Sequence, residues 1–247
     1  MANVGGPNNN QPQPGLQAFQ NTADGARDNT QIKVDRNTGN VGTRSLFGRA
    51  WRAVTPQNID RREGNRSDIE KFRVALLNEG NKKSNVRIAL DTFLPGHQNG
   101  NVPLTAGAVR RSIEYVNIQK MTVASAIDQP QFRNIFDKQE AAENLNFYLE
   151  ARGMLGDGGD RIDVGQFKSL VARYVAVGSE KEINIPPGIR RRMTLFAEHT
   201  NVPSYSAAQS EAARHLLREG QRAVRKLMEV APLNKFRAIL TKQLEQR

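Results

Sequence analysis

The sequence predicts an all-α protein, in which a helical bundle follows a small helical region and a disordered polar tail. From Met121 onward, apolar residues recur three and four positions apart in segment after segment, which is the pattern of amphipathic helices. Helix-capping residues also stand where such patterns begin, as Ser67 does three residues before Glu70. No segment shows the strict alternation of apolar and polar residues that predicts a half-buried strand.

Composition divides the chain into three regions. Residues 1–43 are rich in Asn, Gln, Gly, Pro, Asp and Thr and nearly devoid of aromatic residues. Such a segment buries too little apolar surface to offset the entropy lost on ordering, so we expect a disordered tail. Residues 44–119 are predicted to form a small N-terminal helical region, and residues 120–247 a larger helical domain.

The N-terminal helical region opens with an amphipathic stretch at residues 44–57. Its apolar residues include Trp51, the single tryptophan of the chain, and share one helical face beside three arginines. Such a helix lies on an anionic membrane surface or docks on the main domain. We favour docking, because Gly48 interrupts a segment that is already short. Further helices in this region are predicted at residues 67–79, 85–94 and 105–118.

The helical domain is organised around residues 140–155. Glu143 and Asn144 stand at the start of this predicted helix, just before an apolar set with one-face spacing, namely Leu145, Phe147, Tyr148 and Leu149. Burial of that set carries the acid–amide pair to the rim of the core, where it either contacts a partner or caps the helix. The remaining helices of the domain are predicted at residues 123–130, 132–136, 164–177, 189–199, 207–229 and 233–244.

The charge balance favours acidic partners. The formal net charge is +11 and the pI is near 10.2. Five cations recur at helical spacing and share one face, which we call the basic face: Arg214, Arg218, Arg222, Arg225 and Lys226. This face indicates contact with an acidic protein or an anionic membrane surface. Nucleic acid is not expected as a partner, because no aromatic residues interleave with the cations and no recognition motif accompanies them.

The residue types argue against metal and covalent chemistry. The chain has no cysteine, which excludes disulfides, thiolate metal sites and thiol nucleophiles. None of His97, His199 and His215 has another ligand at a metal-binding spacing. A calcium-binding helix–loop–helix would need a glycine at Asp160 and a closing glutamate at Gln166. We therefore expect no metal, no cofactor and no active site belonging to this chain alone.

Two further absences bear on location. No stretch is long and apolar enough to span a bilayer, and the N-terminus lacks the apolar core of a cleaved secretion signal. We expect a protein of the cytoplasm or of the inner membrane face, or an effector that bacteria secrete into a host cell without a cleaved signal.

Three motifs at matching separations resemble a known family. They are AENLNFYL at residues 142–149, YVAVGSEKEIN at residues 174–184 and YSAAQ at residues 205–209. Upstream, Phe132 and Phe136 fit the family's Phe-x-x-Phe-Leu helix. Residues 120–240, about half of the chain, are thereby similar to the regulator-of-G-protein-signalling (RGS) domain. The resemblance implies a nine-helix domain that binds the switch regions of an activated Gα subunit.

The resemblance also assigns roles to individual residues. Asn144 and Asn184 match the amides that face the catalytic glutamine and the switch residues of Gα, with Glu143 beside them at the rim. Such a domain supplies no arginine finger. It accelerates GTP hydrolysis by holding the switches in their transition-state arrangement. The runner-up interpretation is a binding module without effect on hydrolysis, which docks acidic surfaces through the basic face.

The chain departs from the family pattern at the C-terminal contact segment. The family's Asp-Ser-Tyr-x-Arg-Phe falls on residues 219–224, so that Glu219 replaces the aspartate and Ala223 replaces the bracing arginine, with Arg222 next to it. The acid expected five residues before Asn144 is Gln139. The resemblance therefore supports the fold more directly than it supports acceleration of hydrolysis.

Overall fold

A computed structural model describes residues 13–44, 58–137, 142–156, 161–200 and 202–247. The described backbone is largely helical, which confirms the all-α prediction. The helices, in chain order, are α1 (Leu16–Asp24), α2 (Asn58–Asn78), α3 (Lys83–Phe93), α4 (Ala106–Lys120), α5 (Val123–Ala126), α6 (Pro130–Asp137), α7 (Ala142–Gly156), α8 (Val164–Leu170), α9 (Pro187–His199), α10 (Ala207–Val230) and α11 (Pro232–Glu245). A 3₁₀ turn spans His97–Asn99, and a π-helical turn, Val171–Val175, continues α8.

The chain separates into two compact units. One unit comprises Met1–Lys120 together with Leu240–Arg247, and the other comprises Met121–Ile239. The helical region and the helical domain predicted from composition meet at nearly this point. The last eight residues, however, belong with the first unit, a grouping that local sequence patterns do not reveal.

The N-terminal tail differs from the prediction, because residues 13–43 are folded. They form α1 and an antiparallel hairpin of two strands, β1 (Ile32–Val34) and β2 (Val41–Thr43), in which Val34 pairs with Val41. The low average hydropathy of this stretch does not reflect its few apolar side chains that are buried in the core. Phe19 and Ile32, for example, have no exposed surface. Disorder was therefore the wrong expectation for this stretch, and residues 1–12 lie outside the described ones.

The turn between the two strands is polar and is stabilised by hydrogen bonds within it. The Asp35 carboxylate accepts hydrogen bonds from the backbone N–H groups of Asn37, at 2.9 Å, and Thr38, at 2.8 Å. Gly39 adopts a φ of 71°, which glycine tolerates without a Cβ clash. These bonds, with the N–H of Thr38 first, lower the pKa of the Asp35 carboxyl.

The first unit packs α1, the hairpin and α2 to α4 around one apolar core. The rings of Phe19 on α1 and Phe72 on α2 lie 5.1 Å apart. The hairpin is joined to α2 by a hydrogen bond from the backbone N–H of Val34 to Asp68 Oδ1, at 3.1 Å. Burial raises the pKa of the Asp68 carboxyl. Helix α2 begins nine residues before the predicted start at Ser67. Its first turns are too polar to show an apolar period, and they were therefore not predicted to be helical.

The second unit is built on α7 and α10, which pack along each other. Phe147 of α7 and Met193 of α9 both lie against Gly220 of α10. A second aromatic cluster joins α8, α9 and the segment before α10, since Phe196 lies 5.5 Å from Phe167 and 5.4 Å from Tyr205, measured between ring centroids. The helix bounds predicted for residues 120–247 agree with the observed ones to within a few residues. The predicted helix at residues 44–57 lies outside the described residues from residue 45 onward.

Candidate functional site

The first part of the candidate site is the N-terminus of α7. Glu143 and Asn144 are half-buried there, and the Asn144 Nδ2 donates a hydrogen bond to Glu143 Oε1 at 3.0 Å. The side-chain oxygen of Asn144, Oδ1, is buried and accepts no hydrogen bond from any residue that the structure describes. The carboxylate thus fixes the orientation of the amide and leaves one polar atom uncommitted. The four residues before α7, Gln139 among them, lie outside the described ranges.

Helix α7 is held in place by its predicted apolar face. Leu145, Phe147 and Tyr148 are buried. The Phe147 ring packs edge-on against Tyr174 with 5.9 Å between centroids, and the Tyr174 hydroxyl donates to Glu150 Oε1 at 2.7 Å. Burial, followed by this hydrogen bond, raises the pKa of Tyr174. Tyr174 therefore links α7 to the π-helical turn that leads into the second part of the site.

That second part is the turn at residues 176–185, which carries Asn184. Ile183 donates its backbone N–H to the Tyr174 carbonyl at 2.9 Å. At the start of the turn Gly178 has a φ of 76°, and its N–H donates to Glu182 Oε2 at 2.8 Å. This bond, followed by the ion pair with Arg190, lowers the pKa of the Glu182 carboxyl. The turn is consequently closed by its own side chains.

Arg190 is the anchor of this turn. Its guanidinium pairs with Glu182 and donates to two backbone carbonyls, those of Ile183 at 2.8 Å and Val175 at 3.3 Å. Its side chain is only 16% exposed. This role was not predicted from the sequence. The available signal was Glu182 eight residues before it, on the far side of a proline-containing turn.

Asn184 itself is exposed at the end of the turn. Its side-chain amide makes no hydrogen bond within the described part of the chain, although the residue before it is buried and bonded at both backbone groups. The structure gives no contact between Asn184 and Asn144. Tyr174 connects the two segments. Its backbone carbonyl accepts the N–H of Ile183, the residue before Asn184, and its ring packs against Phe147, three residues after Asn144 on α7.

The third part of the candidate site lies on α10. Glu219 is half-buried, and its Oε2 is 2.8 Å from the Nη2 of Arg192 on α9 and 3.9 Å from the Nδ1 of His215. The contact with Arg192 is an ion pair without the alignment of a hydrogen bond, because the same oxygen lacks a hydrogen-bond partner. Arg222 is exposed, and Ala223 is half-buried. Glu219 is thus held by an arginine from another helix.

Gly220 explains how α10 approaches α7 so closely. It is buried, and a Cβ at this position would lie 3.0 Å from Phe147 Cζ and 3.4 Å from Met193 Sδ. Any larger side chain would push against a ring that has no exposed surface. The departure from the family pattern at this position therefore has a packing reason.

Comparison with known families decides the identity of this unit. The family model of the Regulator of G protein signaling domain matches residues 118–238. Residues 118–238 are an RGS domain. The matched segment coincides closely with the second compact unit, Met121–Ile239. No curated protein and no solved structure matches the chain. At the level of the family, RGS domains regulate G-protein signalling and bind Gα GTPases.

Two of the five cations of the basic face form ion pairs with acids of the same helix. Arg218 pairs with Glu211 at 3.3 Å, and Arg225 pairs with Glu229 at 3.5 Å. Arg214 is half-buried and also has an interaction partner. The exposed side chains of Arg222 and Lys226 complete the face. Internal pairing lowers the charge that this face presents to an acidic protein or a membrane.

The structure also bears on metals and membranes. No group of three or more potential metal ligands occurs among the described residues. The loop compared with a calcium site lies partly outside those residues, and Asp163 at its end caps α8 by accepting the N–H of Gln166 at 2.6 Å. Within the described ranges, no helix has the length and apolar character needed to cross a membrane.

Proposed function

We propose that the RGS domain binds the switch regions of an activated Gα-type GTPase and accelerates its GTP hydrolysis. The contact residues in this proposal are Asn144 and Asn184, flanked by Glu143 and Glu219. The observation that carries it is the turn closed by Arg190 and Glu182, which presents Asn184 without any hydrogen bond to the described residues. An exposed amide on a fixed turn is a pre-organised contact, since little conformational entropy is lost on binding.

The chemistry of the amides suits this task. An asparagine side chain both donates and accepts, so it can bond a glutamine amide and a backbone group of the same partner. Glu143 already orients one amide, through the 3.0 Å bond to Asn144. In the proposed complex both amides hold the switch segments and the catalytic glutamine of Gα in the arrangement that hydrolysis requires. The rate gain then comes from positioning and electrostatic stabilisation rather than from a new catalytic group.

Glu219 completes the proposed contact surface. In the family pattern an aspartate and an arginine share one helix at this place, whereas here the guanidinium comes from Arg192 of the neighbouring helix. The ion pair keeps a carboxylate at the rim of the domain in a defined position. We infer that Glu219 accepts hydrogen bonds from the backbone of a switch segment.

The test is single-turnover GTP hydrolysis by a panel of Gα subunits, with and without the full chain. We expect acceleration of at least one subunit, and we expect Asn184→Ala to reduce it at least tenfold, about 1.4 kcal/mol of transition-state stabilisation. Asn146→Ala is the matched control, because Asn146 is an exposed amide on α7 outside the candidate site. If no Gα subunit is accelerated, or if both variants behave alike, the proposal is wrong.

The runner-up interpretation gives a different result in a different assay. A module that docks through the basic face would sediment with anionic vesicles at low salt and be released at high salt. It would also lose binding in Arg222→Glu and Lys226→Glu, two exposed positions of that face. Salt-sensitive sedimentation in the absence of any effect on Gα hydrolysis would favour this interpretation.

A further inference from the structure

An open groove runs between α9 and α10 on the RGS domain. Its volume is about 730 Å³, which is within the range of sites that hold a few large side chains. Apolar side chains form its floor, chiefly Leu195, Phe196 and Leu216. Leu195 is 41% exposed, so the described residues leave part of this apolar side chain uncovered.

The floor of the groove is rigid. Phe196 packs against the rings of Phe167 and Tyr205, which also contact each other and are buried. Leu216 is only 8% exposed and is held within α10. The groove is therefore a feature of the packed domain rather than of a loop. A bound side chain would meet a preformed apolar surface, which limits the entropic cost of binding.

The polar rim of the groove has one chemical character. It is formed by Arg192, His199 and His215, and no carboxylate is among the lining residues that the structure describes. The Nδ1 of His199 lies 2.9 Å from the Leu195 carbonyl and donates to it, so a protonated His199 keeps its Nε2–H as a donor for a ligand. Glu219 lies behind the rim, with its Oε2 2.8 Å from Arg192 Nη2 and 3.9 Å from His215 Nδ1. A guanidinium carries five N–H donors and can bind a second carboxylate in addition.

We propose that this groove docks an acidic amphipathic helix of a partner protein. Large apolar side chains of that helix, one turn apart, would cover Leu195 and Leu216. Its flanking carboxylates would meet the nitrogen groups of Arg192, His199 and His215. An apolar stripe in a groove between two helices is a common mode of helix recognition. Arg192, together with the two histidines when they are protonated, favours acidic over basic helices. The apolar floor of the groove is separate from the proposed Gα contact, because none of Leu195, Phe196 and Leu216 belongs to that contact. Arg192 of the rim, in contrast, also pairs with Glu219 of that contact.

The test uses a library of helical peptides displayed on phage and selected against the full chain. Enriched peptides should carry apolar residues three or four positions apart, flanked by Asp and Glu. Affinities of synthetic copies are then measured by fluorescence anisotropy. Leu195→Asp should weaken binding at least tenfold, whereas Leu227→Asp should leave it unchanged. Leu227 is a fair control, because it is 38% exposed on α10 and does not line the groove.

Charge is tested separately. His199→Glu should weaken binding of the acidic peptide several-fold at low salt, and the control Lys235→Glu, at an exposed position of α11, should have little effect. Thermal melting of each variant establishes that it is folded. Enrichment of basic or uncharged peptides, or indifference of binding to Leu195→Asp, would overturn the proposal. So would a dimer of the wild-type chain that Leu195→Asp dissociates, since the groove would then belong to a second copy.

Discussion

Arg192 of α9 places its Nη2 2.8 Å from Oε2 of Glu219 on α10. The resemblance to RGS domains leads one to expect the brace for this carboxylate four residues further along the same helix, where Ala223 stands. The guanidinium is supplied instead from the neighbouring helix. In the proposed contact surface, the carboxylate thus keeps an arginine partner, but from a different helix, which the sequence alone did not reveal.

Removal of this brace should affect binding more than folding. The Arg192 and Glu219 side chains are 53% and 24% exposed, and a solvent-screened pair of this kind adds at most about 1 kcal/mol to stability. We expect Arg192→Ala to shift the urea midpoint only slightly and to weaken Gα binding about tenfold, by releasing Glu219. Arg191→Ala, at the exposed neighbouring position, is the control. Equal effects of the two variants on binding would contradict a positioning role for Arg192.

Arg190 should matter for both folding and binding. Its guanidinium is largely buried, donates hydrogen bonds to two backbone carbonyls and forms an ion pair with one carboxylate. We expect Arg190→Ala to lower the free energy of unfolding by about 2 kcal/mol, since the carbonyls lose their donors. Arg190→Lys should recover only part of this, because an ammonium cannot reproduce the planar fork. Urea denaturation followed by circular dichroism measures both, and full recovery by lysine would disprove the proposed geometry.

The turn should also respond to acid. The pKa of Glu182 is lowered in the folded state from its ordinary value of 4.5, first by the N–H of Gly178 and then by Arg190. Its stabilising effect is therefore complete above pH 4.5 and lost as the pH falls through the lower folded value. We expect the stability difference between wild type and Glu182→Gln to shrink below that pH. Glu180 makes no hydrogen bond or ion pair with the described residues, so Glu180→Gln, in the same turn, should change stability little at neutral pH and is the control.

Two glycines in helices should respond oppositely to alanine. Gly153 on α7 has no atom within 4 Å of the position of an added Cβ, so Gly153→Ala should stabilise by up to about 1 kcal/mol through helix propensity. At Gly220 the added carbon would meet Phe147 at 3.0 Å, and the overpacking should outweigh that gain, for a net loss of about 1 kcal/mol. Urea midpoints measure the sign, and stabilisation by Gly220→Ala would show that Phe147 can move aside.

The sequence predicts the helical domain well because its helices are amphipathic and capped. The burial of Phe147, Phe167 and Tyr174 follows directly from their spacing. The hairpin of β1 and β2 escaped prediction because each strand has only three residues, too few to show alternation. The turn at Asp35 is stabilised by side-chain bonds that composition does not record.

The candidate site was predicted less completely. Its exposed amides could be found, because Asn184 lies in a motif shared with RGS domains. The residues that fix them could not, since Arg190 and Arg192 look alike in the sequence. Their roles differ only in the folded domain, where Arg190 bonds the turn before α9 and Arg192 pairs with Glu219 on α10. Tertiary contacts of this kind have no local signature.

The most direct measurement is the affinity of the full chain for Gα loaded with GDP and aluminium fluoride, which mimics the transition state of hydrolysis. Wild type and Asn146→Ala should bind this form more tightly than the GDP form. Asn144→Ala and Asn184→Ala should each lose at least tenfold in affinity for it, about 1.4 kcal/mol. Wild-type affinity in both variants, or no preference for the aluminium fluoride form, would contradict the account.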